Sequence, residues 1–183
     1  MTADADGGCA LFDTGIGTCG IAWNAHAVIA VQLPEPTAAG TRERMLRSTG
    51  PLPESTPPSF VRAAIEGVQA LMQGMPCNLH EVPLDMTAVP EFHRRVYAIA
   101  RRIAPGELRT YGEVAQELGD KGLSRAVGQA LGRNPFAPIV PCHRVVAANG
   151  KPGGFSGGGG ALTKLRMLAI EGTTPGGTRS LFD

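Results

Sequence analysis

The chain lacks any apolar run long enough to span a membrane. Its N-terminal stretch, residues 1–8, is acidic and glycine-rich and has none of the basic-then-apolar order of a secretion signal. A cytoplasmic protein with no membrane partner is the expectation. Cysteine is scarce: Cys9, Cys19, Cys77 and Cys142 are the four present, and no CxxC pair occurs. Without a secretion signal, reduced thiols are expected rather than disulfides. Net charge is also nearly absent, at +1, but the balance hides an asymmetry. Residues 1–90 hold four Arg against nine Asp and Glu, a net charge of −5, whereas residues 91–183 hold thirteen Lys and Arg against seven, a net charge of +6. A basic half fits a polyanionic partner such as nucleic acid. Ordinary scatter of surface charge is the competing reading.

What is present is enough for a packed core, with 43% hydrophobic residues in 183, the size of one ordinary domain or two small ones. Residues 10–14, 18–23 and 27–33 are apolar or β-branched segments separated by turn residues, a small antiparallel meander. A short helix is expected at 41–47. A longer one is expected at 59–73, where Phe60, Ala64, Val68 and Leu71 share a face. Residues 82–84 are expected to return a strand to the sheet. Composition changes near Thr87, which is placed to cap a helix whose inner face is Phe92, Val96, Ile99, Ala100 and Ile103. Two short helices follow, around 113–118 and 124–131, joined by a turn bearing Gly119, the outline of a helix-turn-helix. The second presents small residues, Ala126, Gly128 and Ala130, behind one arginine, Arg125. That surface suits close approach to a narrow groove, or tight helix packing. Asn149-Gly150 signals a hairpin turn. Six glycines lie in 153–160, around Phe155 and Ser156. A last helix is expected at 162–170 with Leu162, Leu165 and Leu168 inward, closed by Glu171-Gly172.

Chemistry concentrates at Pro141-Cys142-His143-Arg144-Val145. A thiol reacts as its thiolate, a minor species at neutral pH, so a reactive cysteine needs neighbours that lower its pKa. His143 and Arg144 are candidates for that tuning. A buried structural thiol is the bland alternative. A Cys-His hydrolase would need an acyl site and an oxyanion hole, which nothing here specifies. A DNA-binding regulator would need long base-reading side chains on the Arg125 helix, which are largely missing.

Several spaced segments resemble one family. The run Asn134-Pro135 with Ile139-Val140-Pro141-Cys142-His143-Arg144-Val145-Val146 is similar to the active-site signature of the O6-alkylguanine-DNA alkyltransferases, or methylated-DNA–protein-cysteine methyltransferases. Arg109-Thr110-Tyr111-Gly112-Glu113-Val114-Ala115 and Arg125-Ala126-Val127-Gly128 match upstream, and Gly154-Phe155-Ser156-Gly157 and Leu168-Ala169-Ile170-Glu171-Gly172 match downstream. The strong match covers residues 88–172. The N-terminal half resembles the family only in its order of strands and helices.

The resemblance implies an α/β N-terminal domain over 1–86, with a small antiparallel sheet of ribonuclease-H-like form. A mostly α C-terminal domain follows over 87–172, with a winged-helix-like helix-turn-helix, and then a disordered tail over 173–183. It implies a monomeric DNA repair protein that moves an alkyl group from O6 of guanine, and O4 of thymine, in double-stranded DNA onto Cys142, once per molecule. His143 would deprotonate Cys142 through a water, Glu171 would hold His143, and Asn134 would tie the helix-turn-helix to the cysteine segment. Tyr111 would help rotate the nucleotide and protonate the leaving guanine. Arg125 would fill the gap left by the flipped base, with Thr110, Ala126, Gly128 and Arg133 also against DNA. Leu131, Val145, Phe155, Ser156 and Gly157 would line the substrate pocket, the Val145 carbonyl helping to read the base. No cofactor is implied. Two departures stand out: Phe155 replaces a tyrosine common in the family, and the glycine-rich stretch after Ser156 is longer than in the shorter members. Some members hold zinc through two cysteines and two histidines. Cys9, Cys19, His26 and His80 supply those types here, but Cys19 falls mid-strand when the strands are matched and no CxxC pair exists, so no metal is expected.

Overall fold

The first strands form because β-prone residues run up to a tight turn at Gly15-Ile16 and back. Strands β1 (Gly8–Thr14) and β2 (Gly17–Trp23) pair antiparallel, with Thr14 opposite Gly17. Gly17 has φ +128, a conformation that side-chain-bearing residues rarely adopt. Strand β3 (Val28–Gln32) pairs with β2 on its other edge, giving the expected three-stranded meander. The computed structural model describes residues 7–153 and 160–175.

Two compact units divide the chain: residues up to Ala88 together with Pro135–Ile139, and Val89–Asn134 together with the residues from Val140 onward. In the first, helix α1 (Ala38–Thr49) starts earlier than expected because Thr37 caps it, its hydroxyl accepting from Gly40 N. Met45 of α1 joins Cys9, Ala22 and Ala30 in a buried cluster on the sheet. Helix α2 (Ser59–Met72) buries Val61, Ala64, Val68 and Leu71, the expected face apart from Phe60. The expected strand at 82–84 is a single bridge between Val28 and Leu84. Proline has no N–H, so Pro83 contributes only its carbonyl to Val28 N, and Asp85 N supplies the one return bond. Pro135 O accepts from Val31 N, which joins that segment to the first unit.

The second unit starts with helix α3 (Glu91–Ala100). Thr87 does not cap it. Its N–H and hydroxyl both donate to Asp85 Oδ1, and Pro90 stands at the cap. Tyr97, 1% exposed, donates its hydroxyl to Ala130 O at 2.7 Å. Strand β4 (Arg109–Thr110) leads into helix α4 (Tyr111–Glu117). Thr110 and Glu113 form a capping box that fixes where α4 begins. Gly119, at φ +108, ends it. A 3-10 turn (Lys121–Leu123) then hands over to helix α5 (Ser124–Gly132).

After a second 3-10 turn (Cys142–Arg144), strand β5 (Val145–Val146) pairs parallel with β4. The Asn149-Gly150 turn forms, but the partner of β5 is β4 rather than a returning hairpin strand. Helix α6 (Gly160–Ile170) is turned differently from expectation: Leu162 is 77% and Leu165 37% exposed, while Lys164, Met167 and Leu168 face inward. Thr173 N still bonds Leu168 O, so the expected tail does not start loose at 173; residues 176–183 lie outside those described. Among the described residues no helix is long and apolar enough to cross a membrane.

Candidate active site

Asn134 links the end of α5 to the cysteine segment. Its side-chain amide donates to Val140 O at 2.8 Å and also hydrogen-bonds Cys142. The backbone then tightens, with Cys142 N on Val140 O and Arg144 N on Pro141 O. Cys142, His143 and Arg144 are all buried on this turn.

The thiol is not a standing thiolate. Burial pushes Cys142 up, and the Asn134 hydrogen bond, the Lys164 charge and the N–H groups of Cys142 and His143 pull it down less strongly. Arg144, expected from sequence to help activate the thiol, points elsewhere. Its Nε and Nη2 donate to Glu171, and its Nη1 donates to Ile103 O at 2.7 Å.

His143 is fully buried, with Nε2 2.8 Å from Glu171 Oε1. Burial alone would raise the Glu171 carboxyl, but the hydrogen bonds from His143 and Arg144 and the Arg144 charge bring it down to about 2. An ionised carboxylate can only accept, so His143 Nε2 must carry a proton. Burial also lowers the imidazole below its ordinary value, more than Glu171 raises it, so the ring is neutral. Nδ1 is then the lone-pair nitrogen, and it has no hydrogen-bond partner among the described residues. The segment thus holds a buried thiol beside a neutral imidazole of fixed tautomer with a free basic nitrogen. That arrangement can move a proton off sulfur as the sulfur attacks. Glu171 follows the C-terminal end of α6, where a carboxylate meets the unfavourable end of the helix dipole. Arg144 offsets that.

Tyr111, at the first turn of α4, is half-buried, and burial raises its phenol. Gly153, at φ +74, lies so close that a Cβ there would stand 2.3 Å from the Tyr111 hydroxyl. Gly153→Ala is expected to displace the phenol, cost about 1–2 kcal/mol of stability through the left-handed backbone, and slow any reaction that uses the Tyr111 proton by about tenfold or more. Urea unfolding and single-turnover rates check both effects.

The other expected residues divide. Arg125 and Arg133 are exposed at the two ends of α5. Ala126 and Gly128 are half-buried, and a Cβ on Gly128 would be 3.9 Å from the Tyr111 ring. Ala130, read with them as part of an open small-residue face, is instead fully buried and accepts from Tyr97. The helix turns that side to α3. The Thr110 hydroxyl is committed to its cap. Leu131 and Val145 are buried, and the Val145 carbonyl accepts from Lys164 Nζ at 2.7 Å. Phe155, Ser156 and Gly157 lie outside the described residues. In the first unit Cys9 and Cys19 are buried and His26 and His80 exposed. Burial pushes the Cys19 thiol up to about 12.

Lys164 was missed, yet a signal was available. Positions 164, 167, 168 and 171 are one helical stripe, so a Glu171 that faces the site brings Lys164 inward with it.

Residues 91–173 match the family model described as 6-O-methylguanine DNA methyltransferase, DNA binding domain. The chain is 34% identical over 177 residues to the methylated-DNA–protein-cysteine methyltransferase of Mycobacterium leprae, covering 96% of this chain and 98% of the relative. It is 40% identical over 126 residues to that of Mycolicibacterium paratuberculosis, covering 69% and 74%. A crystal structure of Mycobacterium tuberculosis OGT in complex with DNA is similar with a TM-score of 0.71 at 33% identity, covering 89% of this chain and 92% of that one.

Proposed function

Because the chain belongs to the methylated-DNA–protein-cysteine methyltransferase family, we propose that it repairs double-stranded DNA by moving the alkyl group of O6-alkylguanine, and of O4-alkylthymine, onto Cys142. The observation that carries this reading is the buried Cys142 and His143 with Asn134 and Glu171 bonded to them, His143 Nδ1 being left free as a base. Cys142 Sγ attacks the saturated carbon on O6. The S–C bond forms as the C–O6 bond breaks, and guanine leaves. The thiol proton passes to His143 by way of a water, and Tyr111 protonates the leaving guanine. A saturated carbon develops no oxyanion, so the site needs no oxyanion hole. The thioether product has no hydrolytic way back, so each molecule reacts once.

The target carbon lies inside the duplex, and the base must rotate out at a cost of a few kcal/mol. Arg125 is exposed at the start of α5 and free of a salt bridge among the described residues, which suits filling the vacated stack. Ala126 and Gly128 keep the helix slim enough for the minor groove, with Thr110 and Arg133 toward the phosphates. Leu131, Val145, Phe155, Ser156 and Gly157 line the pocket for the flipped base. The sheet and helices of the first unit support a ribonuclease-H-like form, and α4 with α5 supports a helix-turn-helix of winged-helix type. The protein works as a cytoplasmic monomer with neither cofactor nor metal.

The test is incubation with duplex DNA carrying O6-methylguanine, followed by proteolysis and mass spectrometry. One methyl group on Cys142, with one lesion lost per protein, is expected. Methylation elsewhere, multiple turnovers or no transfer by folded protein would sink the reading. Arg125→Ala is expected to slow transfer from duplex DNA by about tenfold or more while leaving transfer from free O6-benzylguanine within about twofold, because only the duplex imposes the cost of flipping. Equal losses on the two substrates would contradict a flipping role.

A further inference from the structure

Lys164 is a cation in the interior of the second unit for which the chemistry above has no task. It is 1% exposed. Its Nζ donates to Val145 O at 2.7 Å and to the Tyr111 hydroxyl at 3.4 Å, and lies 5.7 Å from the centre of the Tyr111 ring. Burying an ammonium is costly unless something specific holds it. Among the described residues no carboxylate forms a salt bridge with it; the anion that favours its charge is ionised Cys142.

The direction of the Tyr111 contact follows from valence. An ammonium has donors and no lone pair. The Tyr111 oxygen must therefore accept from Lys164, and its single O–H proton cannot point back along the same contact. Gly153 also limits the phenol, since no Cβ fits there. The hydroxyl thus accepts from a cation and lies close to a glycine, with its proton turned away from Lys164.

We propose that Lys164 is a positioning residue of the alkyl-transfer site, which accepts no alkyl group itself but fixes the Tyr111 hydroxyl as a donor toward the departing guanine. This rests on the reading above in which Tyr111 protonates that guanine. The supporting electrostatics run the same way. Burial lowers Lys164 to about 8, close to losing its proton, and the charge on Cys142 raises it again. Ionising the thiol therefore secures the ammonium at the moment the Tyr111 donor is needed. Lys164 also tethers Val145, three residues beyond the nucleophile, so the sulfur and the proton donor share one anchor.

The test separates proton donation from thiolate reactivity. Lys164→Met keeps the apolar stem and removes the donors. Each folded variant is given two methyl donors: duplex O6-methylguanine, whose leaving group takes up a proton, and iodomethane, whose iodide does not. Lys164→Met is expected to slow methylation of Cys142 by O6-methylguanine about 10²-fold and methylation by iodomethane by no more than about fivefold, the smaller loss being that of the Lys164 charge on the thiol. Tyr111→Phe should show the O6-methylguanine loss with the iodomethane rate unchanged, and adding Lys164→Met to it should cost no more than about that same fivefold. Lys164→Gln, which keeps an N–H donor, should recover part of the O6-methylguanine rate and supplies the comparison if Lys164→Met does not fold. Equal losses with both methyl donors, or full additivity in the double variant, would overturn the proposal, because Lys164 would then act on the thiolate or on packing. Wild-type protein that reacts with iodomethane but not with O6-methylguanine would instead overturn the alkyl-transfer reading, and the role of Lys164 with it.

Discussion

Glu171→Gln is expected to destabilise the protein by about 3–5 kcal/mol, the range for breaking a buried charge pair by removing one partner, and to slow methyl transfer by about 10²-fold or more. The carboxylate side chain is 3% exposed and receives Nε and Nη2 of Arg144 as well as His143 Nε2. Glutamine keeps the shape and loses the charge, so Arg144 stays buried without a counter-ion. Its amide can also donate, so His143 no longer has a fixed tautomer, and Nδ1 is no longer reliably the basic nitrogen. The acid profile supplies a second check. Glu171 is lowered from an ordinary 4.5 to about 2. Its contribution is therefore present above about pH 4.5 and lost as pH falls through about 2. His143 is lowered too, so below the ordinary imidazole pKa the unfolded chain takes up a proton that the folded protein refuses. Both groups make wild-type stability fall with acid. Glu171→Gln should be less stable at pH 7 and should fall less steeply than the wild type between about pH 4.5 and 2, because it loses the Glu171 contribution and keeps only the slope that His143 sets. Urea unfolding across pH measures it. A variant as stable as wild type at pH 7 would show that Arg144 does not depend on this carboxylate.

The parts of the fold written in local pattern were legible. Alternation and turn residues placed β1 to β3, and the helical stripe placed α2. Failures came where a single competing bond decided the outcome. Pro83 cannot donate, so a strand shrank to a bridge. Asp85 captured Thr87, so a cap moved. In α6 three leucines outweighed one lysine on paper, yet the helix turned to give Lys164 the Val145 carbonyl 19 residues away. No local pattern encodes that bond, nor that of Arg144 with Ile103, 41 residues apart. The candidate site shows the same division. Family resemblance marked Cys142, His143, Glu171 and Asn134, but the state of the thiol was misjudged. Adjacent cations in sequence implied a lowered pKa, whereas in three dimensions Arg144 is spent on Glu171 and burial dominates at sulfur. Activation then has to come from His143 as the reaction proceeds, not from a thiolate waiting in the free protein.

Cys142→Ser is expected to abolish methyl transfer, with a loss of at least about 10⁴-fold, equivalent to about 5.5 kcal/mol of barrier, while binding to duplex DNA stays near wild type. The hydroxyl nearly matches the thiol in size and can keep the Asn134 hydrogen bond, so the turn should hold its shape. It is a much weaker nucleophile, and a neutral imidazole of lowered basicity cannot make up the difference. The same substitution isolates a consequence of the reaction itself. Cys142 is 5% exposed in a closely packed turn, so a methyl group added to its sulfur has little room. Overpacking of this kind costs about 1–3 kcal/mol, and at this chain length each kcal/mol moves Tm by about 2–4 °C. Wild-type protein should therefore melt several degrees lower after one equivalent of O6-methylguanine duplex has been consumed and the DNA removed. Cys142→Ser, which takes up no methyl group, should melt at one temperature before and after. Intact mass and thermal unfolding on the same samples decide it. A Ser variant that gains a methyl group would show that another residue is an acceptor. A fully methylated wild type with an unchanged Tm would show that the buried turn already has space for the product.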